Sequence, residues 1–154
     1  MLKLKRILVP VDFSDASRAA LEYATELARA FDGSMDILHV WEAPIYVTQA
    51  TPLESGLSQT SLLDAAQTQA NDGLHAFVLS AKQAGAPIHS LQIEMGAPAS
   101  TICEFARKRG HDLIVIGSHG RTGIARVVIG SVAEHVVRLA PCLVLSVRQF
   151  AVAR

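Results

Sequence analysis

The chain alternates between short unbroken apolar runs and longer stretches in which apolar residues return at helical spacing. Ile7 to Val11 is such a run, with Pro10 near its end, where a missing donor does least harm to a ladder. After Ser14, a good helix cap, Ala20, Tyr23, Ala24, Leu27, Ala28 and Phe31 share one stripe until Gly33 stops the pattern. Met35 to Trp41 is a second strand, with His39 expected as a hydrogen-bonded core histidine. Residues 42–60 carry Pro44, Pro52 and Gly56 among scattered Ile45, Tyr46, Val47, Leu53 and Leu57, which excludes a regular element and predicts a flap beside the binding site. Ser61 is placed to cap a long helix with Leu63, Ala66, Ala70, Leu74, Phe77, Val78 and Ala81 inward, ended by Gly85, Ala86 and Pro87. Leu91, Ile93 and Met95 alternate with Gln92 and Glu94, the pattern of a half-exposed edge strand. Pro98 suits the first turn of a helix whose stripe is Ala99, Ile102, Cys103 and Ala106 and which Gly110 closes. Leu113 to Ile116 is a strand buried on both faces. A helix from Ser131 with Val132, Val136 and Leu139 inward ends before Pro141, and Cys142 to Val147 form the last strand.

Strand, helix, strand with tight joints means right-handed parallel crossovers. Five strands alternating with four helices define an α/β, three-layer, doubly wound, Rossmann-like fold, a five-stranded parallel sheet in the order 3-2-1-4-5. No repeat, low-complexity tract or linker divides the 154 residues, so residues 1–154 are expected to form a single domain.

Composition narrows the function classes. Half the residues are hydrophobic and 18% are charged, which excludes disorder, and 14 basic side chains balance 14 acidic ones. A formal charge of zero argues against capture of nucleic acid or an acidic membrane surface. No stretch approaches the ~20 apolar residues of a membrane helix, and the opening MLKLKRILVPVDFS reads as a first strand rather than a signal peptide. Cys103 and Cys142 fit structural thiols of a reducing, cytoplasmic protein.

The candidate chemistry lies in DLIVIGSHGRTGIARVVIGS, residues 112–131. Gly117, Gly120, Gly130 and Ser131 follow a buried strand and open a helix. Glycines let backbone N–H groups approach an anion, and a helix start adds unpaired donors and a positive dipole end. This predicts a phosphate cradle. Ser118 could donate to phosphate, and Arg121 could neutralise it or lie on the surface. His119 is given no catalytic role. The loop lacks the lysine of P-loop ATPases, whose charge supports phosphoryl transfer. Ligands of open parallel sheets bind outside the carboxyl ends of strands at the switch point. That places Asp12, ending the first strand, in the same crevice, where it could accept from ribose hydroxyls or else cap the first helix with Ser14. Val40 could pack on a base or simply fill the core.

GSHGRTG with IGSVAEHV, the opening RILVPVDFS and the ending APCLVLSVR resemble the universal stress protein family of the nucleotide-binding kind, over nearly the whole chain except residues 43–61. The resemblance implies a regulatory ATP-binding protein of the stress response with little or no hydrolysis. It assigns nucleotide contacts to Pro10, Val11, Asp12, Val40, Gly117, Gly120, Gly130, Ser131 and Val132. ATP is the expected cofactor, with AMP or ADP as substitutes and room for a divalent metal such as magnesium on the phosphates. A slow ATPase or adenylyl-transferring enzyme on the same fold, and a dimeric interaction module without nucleotide, are the alternatives. The last strand, Cys142 to Arg148, is an apolar edge that would otherwise recruit other chains, so a homodimer paired edge to edge is expected, as the resemblance also implies.

Overall fold

The computed structural model describes residues 3–43, 59–119 and 129–148. Among them the elements alternate without exception: β1 Arg6–Pro10, α1 Asp15–Ala30, β2 Ser34–Trp41, α2 Gln59–Gln83, β3 Ile88–Met95, α3 Pro98–Arg109, β4 Leu113–Gly117, α4 Ser131–Leu139 and β5 Leu143–Val147. Neighbouring strands are parallel, in the order β3-β2-β1-β4-β5. This is the doubly wound α/β fold expected from the alternation.

The strand period divides the core. Ile7, Val9, Met35, Ile37, Leu113 and Val115 pack under α1 and α2, against Ala20, Leu21, Ala24, Ala28, Leu74, Phe77 and Val78. Leu8, Leu38, Ile114 and Ile116 point the other way, against Ile102, Cys103, Phe105 and Ala106 of α3 and Ala133 and Val136 of α4. Burial raises the Cys103 and Cys142 thiols above their ordinary range, as suits packing groups rather than nucleophiles.

Several elements depart from the sequence expectation. In α1, Tyr23 is 51% exposed and Phe31 lies at the C-cap, 36% exposed, whereas Ala16, Ser17, Ala20, Leu21, Ala24 and Ala28 are buried. Small side chains let the helix come down close to the sheet, so the alanine face wins over the aromatic one. Gly33 does not supply the left-handed residue after α1. Asp32 does, at φ 51°, and Gly33 is required instead because a Cβ there would collide with the Leu4 carbonyl. Ser61 lies inside α2 rather than at its cap, since the helix is already under way at Gln59. In α4, Leu139 is 51% exposed rather than inward, while Ala133 and Val136 are buried. Strand β3 starts at Ile88, earlier than the alternation indicated, and β5 starts at Leu143, after Cys142. The expected flap falls largely on residues 44–58, which lie outside the described residues. Gly110 does close α3 in the left-handed conformation, at φ 64°.

Candidate functional site

A crevice of about 460 Å³ opens at the carboxyl ends of β1, β2 and β4. This is where the sheet's winding direction reverses, because β2 and β4 flank β1 on opposite sides. Pro10, Val11 and Asp12 bring the end of β1 to it, and Leu38, Val40 and Glu42 the end of β2. Ile116, Gly117, Ser118 and His119 continue β4 into it, and Gly130, Ser131, Val132 and Ala133 start α4 beside it. Of the candidate residues read from the sequence, Pro10, Val11, Asp12, Val40, Gly117, Ser118, Gly130, Ser131 and Val132 are therefore brought together. Gly120 and Arg121 lie outside the described residues.

The two sides of the crevice differ in chemistry. On the β1–β2 side the crevice is lined by the acidic Asp12 and Glu42 together with the apolar Leu38 and Val40. Asp12 is oriented by α1: its Oδ1 accepts from the Ser14 N–H at 3.0 Å and from the Ser14 hydroxyl, while Ser14 Oγ accepts from the Ser17 N–H at 3.2 Å. Both roles weighed for Asp12 are thus compatible, since it braces the helix cap and lines the crevice. The next residue, Phe13, is left-handed at φ 67°, a costly conformation for an aromatic residue. Its ring is held by stacking on His39, with centroids 4.3 Å apart, and by Phe77. His39 Nδ1 in turn donates to the Val11 carbonyl at 2.8 Å. His39 is the hydrogen-bonded core histidine expected, and it fixes the turn that presents Asp12.

On the β4 side the groups suit an anion. Helix α4 begins after Gly130 with no side-chain hydrogen bond at its N-cap, so the first-turn N–H donors of Ser131, Val132 and Ala133 stand at the crevice with the positive dipole end. Gly130 donates its own N–H to the Ser118 carbonyl at 2.6 Å, which ties the helix start to the end of β4. Gly117 has a structural reason of its own. A Cβ there would stand 2.8 Å from the Ala16 carbonyl carbon and 2.9 Å from the Ser17 nitrogen, so its hydrogen admits the first turn of α1. Among the described residues no group of three His, Cys, Asp or Glu side chains is placed to hold a metal.

Sequence reasoning missed the roof of the crevice, where Pro98 and Ile102 of α3 approach it. The available signal was Pro98 itself, which starts the helix after an edge strand and so brings its first turn to the same end of the sheet. Ser17, Glu42 and His119 were also overlooked as lining groups. Glu42 and His119 closely follow the carboxyl ends of β2 and β4, where lining groups concentrate, and Ser17 lies in the first turn of α1.

An open parallel sheet with an uncapped helix start at its switch point defines a doubly wound protein whose crevice lies at the carboxyl ends of its strands. The comparison with known sequences makes this specific: the universal stress protein family matches residues 3–148, and the chain belongs to that family. A universal stress protein of Methanocaldococcus jannaschii is 36% identical over 145 residues, covering 94% of this chain and 82% of the relative. The solved universal stress protein UspA from Lactobacillus plantarum superposes with a TM-score of 0.78 at 33% identity, covering 95% of this chain and 99% of that one. A further universal stress protein, solved in complex with cAMP, superposes with a TM-score of 0.67 at 25% identity, covering 96% of this chain and 99% of that one.

Proposed function

We propose that this protein binds an adenine nucleotide, ATP foremost, in the crevice and acts as a regulatory nucleotide-binding protein of the stress response rather than as an efficient enzyme. The observation that carries this reading is the division of the crevice: an uncapped helix start with Gly130 and Ser131 on one side, and Asp12 with the apolar Val40 wall on the other. The first suits phosphates, and the second suits ribose hydroxyls and the face of a base. The relative in complex with cAMP supports an adenine ligand.

Hydrolysis is expected to be absent or very slow. Phosphoryl transfer is accelerated by cations that neutralise developing charge, and the charged groups among the described lining residues are the carboxylates Asp12 and Glu42, with no lysine or arginine. A divalent cation such as magnesium would enter on the phosphates. Protein purified without added nucleotide, then denatured, should release an adenine nucleotide identifiable by chromatography and mass. Phosphate release at about one turnover per second, a typical enzymatic rate, would instead favour the ATPase alternative.

The proposal includes a homodimer. β5 ends the described sheet, with Leu143 54% and Leu145 38% exposed on it, so a second copy could pair along that edge about a two-fold axis. Leu145→Lys should yield monomers by light scattering, and a wild-type monomer at tens of micromolar would remove the dimer from the account. The whole of residues 1–154 is taken as one domain in this reading, working in a reducing cytoplasm where Cys103 and Cys142 stay free.

A further inference from the structure

His39 lines no part of the crevice, yet it holds the turn that does. It lies in β2 between Leu38 and Val40, which are lining residues. Alternation along the strand sends its ring to the other face of the sheet, the face on which Ile37 packs under α1 and α2. There it is 8% exposed.

Both backbone groups of Val11, the residue after β1, are held by β2. The Val11 N–H donates to the Leu38 carbonyl at 2.8 Å, and the Val11 carbonyl accepts from His39 Nδ1, also at 2.8 Å. A carbonyl can only accept, so Nδ1 carries a proton and the role of the ring toward Val11 is fixed. The same ring stacks on Phe13, with centroids 4.3 Å apart and an interplanar angle of 28°. Asp12 is thus bracketed. His39 grips the residue before it by a hydrogen bond and the residue after it by a ring contact.

The bracket matters because Phe13 is left-handed, at φ 67°, a conformation that a residue with a side chain keeps only where its surroundings enforce it. This turn brings the Ser14 N–H to 3.0 Å from Asp12 Oδ1 and lets the Ser14 hydroxyl donate to the same oxygen. If Phe13 relaxed to negative φ, Ser14 would swing away and the Asp12 carboxylate would lose the donors that aim it. Phe77 of α2 gives the Phe13 ring a second support, with centroids 5.6 Å apart. Loss of His39 should therefore loosen the turn without unfolding the domain.

We infer that His39 is a positioning residue for nucleotide binding: by clamping Val11 and Phe13 it holds Asp12 at the crevice, and it sets affinity through Asp12 without touching the ligand. This rests on the adenine-nucleotide reading of the crevice.

The test is a double-mutant cycle on the full chain, with ATP titrated by calorimetry. His39→Leu removes both the donor and the ring, and should weaken ATP by about tenfold, the scale of one hydrogen bond. His39→Asn returns an amide N–H near the Nδ1 position and should bind ATP severalfold more tightly than His39→Leu. In an Asp12→Ala background, His39→Leu should cost less than about twofold more, because its effect passes through Asp12. A merely structural histidine would instead repeat its full loss there. His39→Phe, which keeps a ring and removes only the donor, takes the place of His39→Leu in the cycle if that variant does not fold. In the native protein, nitrogen resonances of the His39 ring should show a proton on Nδ1, a readout that needs no variant. A proton on Nε2 alone, additive losses in the cycle, or ATP affinity within about twofold of native in His39→Leu would each overturn the inference while leaving the nucleotide reading in place. Native protein that binds no ATP would remove that reading and this inference with it.

Discussion

Both ends of the sheet hold buried polar groups, and they use them in opposite ways. At the amino ends of the strands, Asp36 of β2 is 3% exposed and lies between three partners. Its Oδ1 accepts from the Ser90 hydroxyl at 2.6 Å, and its Oδ2 from His111 Nε2 at 2.9 Å, with Arg6 Nη2 at 3.5 Å. Phe105 stacks on His111 and closes the cluster. At the carboxyl ends, the start of α4 and His119 Nε2 have no such internal partners among the described residues. One end joins its polar groups to each other across β1, β2, β3 and the approach to β4, although His111 Nδ1 is buried without a partner among the described residues. The other leaves the start of α4 without a side-chain cap beside the crevice. If the crevice binds nucleotide as proposed, variants at the two ends should separate stability from affinity.

The largest effect should come from the closed end. Asp36→Ala leaves the His111 N–H, the Ser90 hydroxyl and Arg6 without their acceptor. Unsatisfied buried donors and broken buried pairs together cost about 2–4 kcal/mol, to be read by urea denaturation, and ATP affinity should stay within about twofold. A loss under about 1 kcal/mol would show that the cluster is not a stabilising unit.

At the open end the pattern reverses. Ser131→Ala should weaken ATP by about tenfold, the lower bound for a hydrogen bond to a charged group, with the denaturation midpoint unmoved. A large stability loss without an affinity change would move Ser131 from the ligand to the fold.

Titration sharpens the comparison. Burial would raise the Asp36 carboxyl, but its hydrogen bonds from Ser90 and His111 and the nearby imidazole charge bring it below its ordinary range. Burial lowers His111 by more than the bond and charge of Asp36 raise it. At neutral pH the pair is therefore a carboxylate accepting from a neutral imidazole. Because the folded His111 value lies below the unfolded one, near 6.5, the unfolded chain binds the extra proton first. This stability is fully present above about pH 6.5 and declines as pH falls from there toward the lower folded value. His111→Gln should flatten the dependence between pH 7.5 and 5.5, and an unchanged slope would assign it to other groups.

The smallest effect is a gain. Gly73 sits inside α2, and a Cβ there would meet the Phe13 ring at 3.4 Å, an ordinary contact. Gly73→Ala should therefore stabilise the protein by about 0.5–1 kcal/mol, since helix-interior glycine costs that much. Destabilisation would mean that the Phe13 ring, already in a strained turn, cannot accept the added methyl.

How much of this was legible in the sequence varies with the range of the interaction. The strand Leu113–Gly117, the glycine at the end of α3 and the start of α4 at Ser131 are written locally, in an apolar run, a left-handed position and a turn, and were read correctly. The inner face of α1 was read in part: Ala20, Ala24 and Ala28 are buried and Leu27 packs on the core, but Tyr23 and Phe31 share the same helical period and are exposed, a choice that only side-chain volume against the sheet decides. The pair Asp36–His111 spans 75 positions. Nothing near Asp36 in sequence marks it as paired, and it stood unnoticed within an apolar strand. At the crevice, the signature residues were legible from their spacing after an apolar strand and before a helix, and Gly117 is required because α1 approaches too closely for a Cβ. Pro98, Ile102 and His119 depend on which elements the topology brings together.

The central claim, a nucleotide crevice with an anionic side at α4 and a nucleoside side at β1 and β2, is tested most directly by calorimetric titration of the nucleotide-stripped full chain with ATP. The account predicts one ATP per chain with a dissociation constant in the micromolar range or below, equivalent to about 8 kcal/mol or more of binding free energy. Absence of binding up to millimolar ATP would contradict it.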